Sequence, residues 1–270
     1  MDTAASCSEA EDAMPEGDTI HRTAVTLRRV LAGQTVTAFE TPRLQTAAPE
    51  PGERVERVEA RGKHLLITFS GGRTLHTHMR MTGSWHTYRA GERWRKPRDS
   101  MVVRIATDGS EAVCFSAPVV QMLDAAELAR QPQLRALGPD LCSAEVDLEE
   151  ILARLSTLEP ATPIGVVLLD QRVAAGIGNV YKSETLWACG VGPFAPLEAI
   201  APGIRRELYA TAAGLLRANL DTPFERRTVA GGLAVYDRAG RPCRRCGTTI
   251  EVRRQGDQGR NTWWCPACQT

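Results

Sequence analysis

No stretch of this 270-residue chain approaches the roughly 20 consecutive apolar residues that a bilayer-spanning helix requires. Nor does a basic-then-apolar export segment open it. An excess of one charge is lacking too. The chain carries 33 Lys and Arg against 32 Asp and Glu, a net charge of +1, so no overall basic field advertises a polyanionic partner. No internal repeat recurs. These absences argue against membrane-spanning, secreted and collagen-like proteins. They leave a chain long enough for one large or two small domains with a real core.

What the chain does have is unevenly placed. The first thirteen residues carry Asp2, Glu9, Glu11 and Asp12 and no base, whereas Arg226 to Thr270 hold nine arginines against Asp237, Glu251 and Asp257. The eight cysteines divide in the same way. Cys7, Cys114, Cys142 and Cys189 stand singly and read as reduced thiols used as small core residues. The other four form Cys243-x2-Cys246 and Cys265-x2-Cys268 with eighteen residues between the pairs. Each pair makes a tight knuckle offering two thiolates, and the intervening hairpin closes a tetrahedron around one zinc ion. Two disulfides would need an oxidising compartment, which fits a chain without an export signal poorly.

The organisation follows from periodicity. Residues 1–13 are small, polar and acidic, and are expected to be a disordered extension. Ile20, Ala24, Leu27 and Leu31 then repeat at helical spacing up to Gly33, with Asp18 as the expected N-cap. From Gln34 to Ser116 the signal is strand-like: His64–Phe69, Thr74–His78 and Met101–Ile105, punctuated by Gly71-Gly72 and Asp108-Gly109. This predicts an antiparallel β-sandwich or flattened barrel. Leu134 to Leu141 reads as a linker. Beyond it helices are expected over Asp147–Leu158, Pro163 to about Gln171, Asn179 to about Ala188, and Ile204–Leu220. The expected domains are 14–133, 134–225 and 226–270, an α+β multidomain fold.

Several features carry candidate chemistry. Two short helices joined by the turn Ala174-Ala-Gly-Ile-Gly178 suit nucleic-acid binding, since the second begins with backbone N–H groups fit for a phosphate. The same pattern also describes a plain helical hairpin. Arg253, Arg254 and Arg260 on the basic zinc hairpin suggest phosphate contact, or simply a solvated face. His76 and His78 share one side of a strand but lack a third metal ligand nearby, and read as ordinary polar residues of the sheet. Lys63 opens a strand and alone would be a surface lysine. Met14-Pro15-Glu16 is different. If translation starts at Met14 and the methionine is removed, Pro15 presents a secondary amine, and α-amino groups titrate at roughly 7.7–8.0. Such an amine can form an iminium with a sugar carbon while the adjacent carboxyl group moves protons. Otherwise Pro15 is only a helix-start proline.

Four motifs then occur in order: Met14-Pro-Glu-Gly, Arg61-Gly-Lys-His-Leu, Leu168-Leu-Asp-Gln171 with Gly176-Ile-Gly-Asn179, and the four-cysteine hairpin. Jointly they resemble the formamidopyrimidine-DNA glycosylase/endonuclease VIII (Fpg/Nei) family of base-excision repair enzymes, over residues 14–270. The resemblance implies an N-terminal β-sandwich, a helix–two-turn–helix domain and a zinc hairpin, with damaged or abasic double-stranded DNA in the cleft between. It implies Pro15 as the nucleophile at C1′ and Glu16 as the proton donor. Lys63 would contact phosphate and assist β-elimination, Asn179 would grip a backbone phosphate, and Arg260 would bind phosphate and serve δ-elimination. Met81, flanked by Arg80 and Thr82, falls at the position that fills the hole left by the flipped nucleotide.

The chain also departs from the pattern. Pro15-Glu-Gly-Asp-Thr19 lacks the family's second nearby glutamate, and Arg80-Met81-Thr82 is not the Gln-Leu-Tyr set of well-known endonuclease VIII proteins. Asp18-Thr19, Arg238 and the short finger look more like actinobacterial endonuclease VIII-like members. Oxidised pyrimidines and abasic sites are therefore the expected substrates, with 8-oxoguanine and formamidopyrimidine the alternative. The expectation is a cytoplasmic, nucleoid-associated monomer whose true start is Met14. A catalytically silent binder of damaged DNA is the competing class, but it has no need for Pro-Glu beside an initiator methionine.

Overall fold

The computed structural model describes residues 15–42, 44, 48–220 and 232–270; the expected extension over 1–13 and Met14 lie outside them. The described chain opens with α1 (Gly17–Leu31), followed by β1 (Ala38–Glu40), β2 (Val55–Arg61), β3 (His64–Phe69), β4 (Thr74–His78), β5 (Ser84–Arg89), β6 (Met101–Ala106), β7 (Ser110–Phe115) and β8 (Val119–Leu123). These strands form two antiparallel four-stranded sheets, β1-β6-β7-β5 and β2-β3-β4-β8. This is the expected sandwich. Alternate residues of its strands build the core between the sheets. Leu65, Ile67 and Phe69 of β3 meet Val103, Ile105, Ala112 and Cys114 of the other sheet, and α1 adds Ile20, Ala24, Leu27 and Leu31. The expected helical stripe is thus the buried face of α1, and Gly33 follows it at φ +78°. Asp18 is not the N-cap. Glu16 holds that position, and Asp18 is fully buried one residue inside the helix.

The segment expected as a linker is structured. After α2 (Ala125–Arg130), closed by an Asp124–Glu127 capping box, α3 (Pro132–Arg135) runs into it. Asp140 then pairs with Ala175, so residues 138–142 lie against the turn between two later helices. The helical domain comprises α4 (Leu148–Leu155), α5 (Ile164–Val167), α6 (Asn179–Ala188) and α7 (Pro202–Ala218). Asp147 caps α4 through Glu150 N–H at 2.9 Å. The helix expected to run from Pro163 to about Gln171 is only one turn long. Gln171 leaves it to serve the next turn, its Nε2 donating to Leu169 O and Ile177 O, both at 2.9 Å.

The helical core joins Ile151, Leu155, Ile164, Val167, Leu168, Tyr181, Leu186, Leu208, Tyr209 and Leu216. The chain ends in the hairpin of β9 (Glu251–Gln255) and β10 (Arg260–Trp264), over a small cluster of Val235, Ile250 and Trp263 against Trp187 of α6.

α6 is the unusual element. Residues Asn179 to Leu186 are all buried, although Asn179, Lys182, Ser183, Glu184 and Thr185 are polar. A helix that is polar on most faces and yet buried must find partners for every group. Glu16 and Asp18 of the N-terminal segment meet its backbone and Tyr181, residues 234–236 and β10 take up Glu184 and Lys182, and only the Thr185 hydroxyl stays unpaired among the named polar side chains, so α6 is where the three parts of the protein meet.

Candidate active site and nucleic-acid interface

The N-terminus of α6 has no local side-chain cap. Its orphan N–H groups are taken by a carboxylate 162 residues upstream. Glu16 Oε2 accepts from Gly178 N at 2.8 Å and Tyr181 N at 3.3 Å, and Oε1 accepts from Val180 N at 2.7 Å. The positive end of the helix dipole favours a negative group here. Two glycines permit the approach. Gly17 N donates to Gly176 O at 2.9 Å, and a Cβ on Gly17 would sit 2.7 Å from Gly176 Cα. A Cβ on Gly178 would lie 2.3 Å from Glu16 Cδ. Pro15 is half-buried immediately before this junction. Asp18 braces it from behind, accepting from Tyr181 Oη at 2.8 Å and from the Asn219 amide.

The turn that carries Lys63 approaches from the sandwich, and Lys63 lies close enough to His64 and His78 to disfavour their charge. It belongs to the two-residue turn between β2 and β3 rather than to the strand itself. The neighbouring Gly62 lies against Ala175 and donates its N–H to Asp140 Oδ2 at 2.6 Å. Asp140 also bonds His21 Nε2 at 2.9 Å and accepts from Cys142 N at 2.9 Å. Burial pushes the Asp140 carboxyl up, but His21 and the two backbone donors outweigh it and hold it below its ordinary value. One carboxylate thereby pins α1, the Lys63 turn and the 138–142 segment together.

From the other side, Asn179 is nearly buried at the first position of α6, its Oδ1 accepting from Lys182 Nζ at 2.6 Å. Lys182 Nζ also donates to Thr262 Oγ1 at 2.7 Å and Asn261 O at 3.1 Å in β10. Arg260 begins that strand, its guanidinium on Gln258 at 3.1 and 3.2 Å and close enough to disfavour the Lys182 charge. Glu16, with Pro15 beside it, Asn179 and, through Lys182, Arg260 therefore meet at the N-terminal end of α6, and the Gly62-Lys63 turn packs on the Ala175-Gly176 turn just before it.

The Arg80-Met81-Thr82 segment lies in the loop leaving β4. Gly83 N–H closes the loop on Met79 O at 2.8 Å, Thr82 Oγ1 donates to Ser116 O at 2.9 Å, and Arg80 adopts φ +46°. Met79 points into the core while Met81 is 62% exposed, an apolar side chain presented to solvent at a strained turn. Arg80 also lines a cleft of about 480 Å³ between sandwich and helical domain, with His64, His78, Leu137, Gln171 and Arg172.

His76 and His78 do share a strand face, but they are not independent polar residues. His76 Nδ1 bonds Gln121 Oε1 at 3.0 Å and its Nε2 meets His64 Nδ1 at 2.8 Å, while the His78 ring stands edge-on to His64 at 4.8 Å. His78 Nδ1 accepts the Arg80 N–H at 3.1 Å. Burial, then the neighbouring histidines and Lys63, pulls His64 down to about 3; burial, Lys63, His76 and Arg80 pull His78 down to about 4. The stack is neutral at ordinary pH.

The four paired cysteines place their sulfurs within 4.8 Å of one another, with Cys246–Cys265 at 3.5 Å and Cys243–Cys268 at 4.0 Å. Tetrahedral zinc at the usual Zn–S length requires about 3.8 Å between sulfurs. The four thiolates fit one structural zinc ion. Nearby, Arg238 donates to Ala234 O and to Pro242 O, tying the loop that leads into the first knuckle. Glu184 of α6 accepts from the N–H groups of Ala234, Val235 and Tyr236 at 2.7, 3.0 and 2.8 Å. Arg253 stacks on Phe194 at 3.9 Å, so it packs on the helical domain rather than standing as a free tip cation.

Lys182, Glu184, Asp140 and His64 are thus parts of the site that spacing and pattern did not single out. The available signal was a helix too polar to be buried that nonetheless follows a glycine turn.

Comparison with known proteins finds similarity along nearly the whole chain. Residues 14–118 match the formamidopyrimidine-DNA glycosylase N-terminal domain, 137–223 its H2TH domain, and 240–270 the zinc finger found in FPG and IleRS. The chain is 43% identical to a probable endonuclease 8 2 of Streptomyces coelicolor, over 95% of this chain and 94% of that protein. It is 36% identical to the DNA-(apurinic or apyrimidinic site) lyase Nei2 of Mycolicibacterium smegmatis, over 95% and 99%. Its fold matches that of Lactococcus lactis Fpg in complex with abasic-site DNA at a TM-score of 0.81 and 19% identity, covering 95% of this chain and all of the other. With three matched domains in order and relatives this similar along nearly its whole length, the chain belongs to the Fpg/Nei family of DNA glycosylases and abasic-site lyases.

Proposed function

We propose that this protein removes oxidised bases, pyrimidines in preference to 8-oxoguanine, from double-stranded DNA and then cleaves the abasic strand through a Schiff base to Pro15. The observation that carries the reading is the lodging of Pro15-Glu16 at the N-terminus of α6, beside the Lys63 turn and Asn179. A nucleophile, a proton-transfer group, a cation-bearing turn and an asparagine amide suited to a phosphate lie near one another there, which is the set such a reaction needs.

The chemistry runs as follows. The Pro15 nitrogen bonds to C1′ as the glycosidic bond to the damaged base breaks. Glu16 takes the proton that the Pro15 nitrogen sheds on bonding and delivers it to the ring oxygen as the sugar opens, which leaves an iminium. The iminium acidifies the C2′–H, and loss of that proton expels the 3′ phosphate; Lys63 assists this β-elimination. A second elimination releases the 5′ phosphate with Arg260 at that group. Asn179 grips a backbone phosphate, and Arg80, Met81 and Thr82 occupy the gap in the stack. Zinc holds the hairpin that carries Arg260 and takes no part in bond making.

The reaction needs a free amine, and a Pro15 still joined to residues 1–14 is an amide. Met14 is accordingly read as the translational start, a reading supported by the first family match beginning at residue 14. The protein is read as a monomer acting in the cytoplasm on the nucleoid. Among the described residues, no helix is long and apolar enough to cross a membrane.

Borohydride trapping on a duplex with one abasic site, using chains that begin at Met1 and at Met14, tests the reading. A covalent adduct from the Met14 form alone supports both nucleophile and start. Adducts from both forms would shift the nucleophile to Lys63 or require in-cell trimming. DNA binding without any adduct would leave a damage-binding protein. Duplexes carrying dihydrouracil and 8-oxoguanine decide the base preference.

A further inference from the structure

Lys182 has no solvent exposure, and the reaction above does not use it. Its side chain runs back along α6 to the helix N-terminus, where Nζ donates to Asn179 Oδ1 at 2.6 Å, Thr262 Oγ1 at 2.7 Å and Asn261 O at 3.1 Å. Three acceptors match the three hydrogens of an ammonium group. The cage is itself braced: Thr262 Oγ1 donates to Gln255 Oε1 at 3.0 Å, and Gln255 Nε2 donates to Pro193 O at 2.7 Å. Two of the three acceptors come from β10 and one from α6, so the ammonium bridges the zinc hairpin and the helical domain.

An asparagine whose oxygen accepts from a cation has only its NH2 to direct outward, and the cation polarises that NH2 into a stronger donor. We propose that Lys182 is a positioning residue of the DNA clamp. It fixes the Asn179 amide with its donors toward a backbone phosphate and sets a buried positive charge behind them. The grip on phosphate and the docking of the hairpin on α6 then become one coupled event. This rests on the reading of Asn179 as a phosphate ligand.

The electrostatics agree. Burial pulls Lys182 down to about 7, with Arg260 of β10 acting in the same direction and Glu16 of the N-terminal segment opposing. On α6 itself, Glu184 is committed to the amides of 234–236. Without DNA the charge is therefore lost as pH rises through neutrality, and a phosphate held by Asn179 favours its retention.

The test is equilibrium binding to a duplex carrying a tetrahydrofuran in place of the abasic nucleotide, from pH 6 to 8.5 at fixed salt. It compares the wild type with Lys182→Met, Asn179→Ala and the double variant. Wild-type affinity should fall about tenfold across that range, as expected for loss of one charge-assisted contact. Each single variant should bind about tenfold more weakly at pH 6 and lose that part of the pH profile. The double variant should be no weaker than Asn179→Ala by more than about twofold, as for residues acting as a unit. A merely structural lysine would weaken binding equally at every pH and add to Asn179→Ala. Additive losses, or unchanged affinity in Lys182→Met, overturn the proposal. If Lys182→Met does not fold, identical pH profiles for wild type and Asn179→Ala overturn it just as well. A wild type that fails to bind the duplex overturns the functional reading first, and the inference with it.

Discussion

Replacing Gly178 with alanine isolates what the lodged carboxylate contributes. The position has φ −121°, which alanine adopts without strain, so any effect comes from space alone. The added Cβ would stand 2.3 Å from Glu16 Cδ and 2.7 Å from Oε1, both well inside van der Waals contact. Glu16 must leave the helix end. The N–H groups of Gly178, Val180 and Tyr181 then lose their acceptor in a fully buried place, at about 1–3 kcal/mol for each group left unsatisfied. Allowing for relaxation, a net cost of about 3 kcal/mol is expected, or roughly 6–12 °C in melting temperature for a chain of this size. If Glu16 is the proton-transfer group, the rate of base release should fall by about 10²–10⁴-fold at saturating enzyme. Thermal unfolding and single-turnover release of a damaged base measure the two effects separately. A Gly178→Ala protein that melts as the wild type does and releases base at the wild-type rate would refute the argument, since Glu16 would then need neither the helix end nor its three donors.

Three other outcomes are expected. Stability should fall as pH drops from 6.5 toward 4, because the unfolded chain protonates a His64 that is held at about 3 when folded; the share of His64 approaches 1.4 kcal/mol per pH unit, His78 at about 4 adds to it, and His64→Gln should remove that share in acid-denaturation curves. Met81→Ala, which removes an exposed side chain, should leave the melting temperature within about 1–2 °C while weakening binding to lesion duplexes, measured by fluorescence anisotropy. Stripping the zinc with a strong chelator should unfold the hairpin and abolish DNA binding while leaving the β-sandwich circular-dichroism signal in place, since Val235, Ile250 and Trp263 form only a small cluster of their own and the metal supplies most of that module's folding energy.

What was legible in the sequence is what depends on neighbours in the chain. The strands His64–Phe69 and Thr74–His78 follow from local composition and turn signals, the stripe of α1 from helical spacing, and all are found as expected. The zinc ligands are legible because a knuckle of two thiolates is a local object, and the family motifs are legible for the same reason. Where local reasoning failed, a distant partner won. Asp18 looks like a cap from its place before an amphipathic run, yet Tyr181 and Asn219, 163 and 201 residues away, claim it as a buried acceptor. The helix expected to reach Gln171 stops after one turn, because the Gln171 side chain is needed to satisfy the carbonyls and the Gly176 N–H of the following turn.

The site divides along the same line. The amino-acid sequence by itself determined which groups are available: a proline and a glutamate in tandem, a lysine in a glycine turn, an asparagine at a helix start, and four thiolates at metal spacing. Only the tertiary structure decided that Glu16 would cap a helix 162 residues on, and that Asp140 would bind the Lys63 turn to α1. It also decided that Lys182 and Glu184 would disappear into the interior of a polar helix to hold the hairpin. The reason is that a buried polar group is tolerable only once its partners have arrived. Partners brought from opposite ends of the chain leave no periodicity behind them to be read.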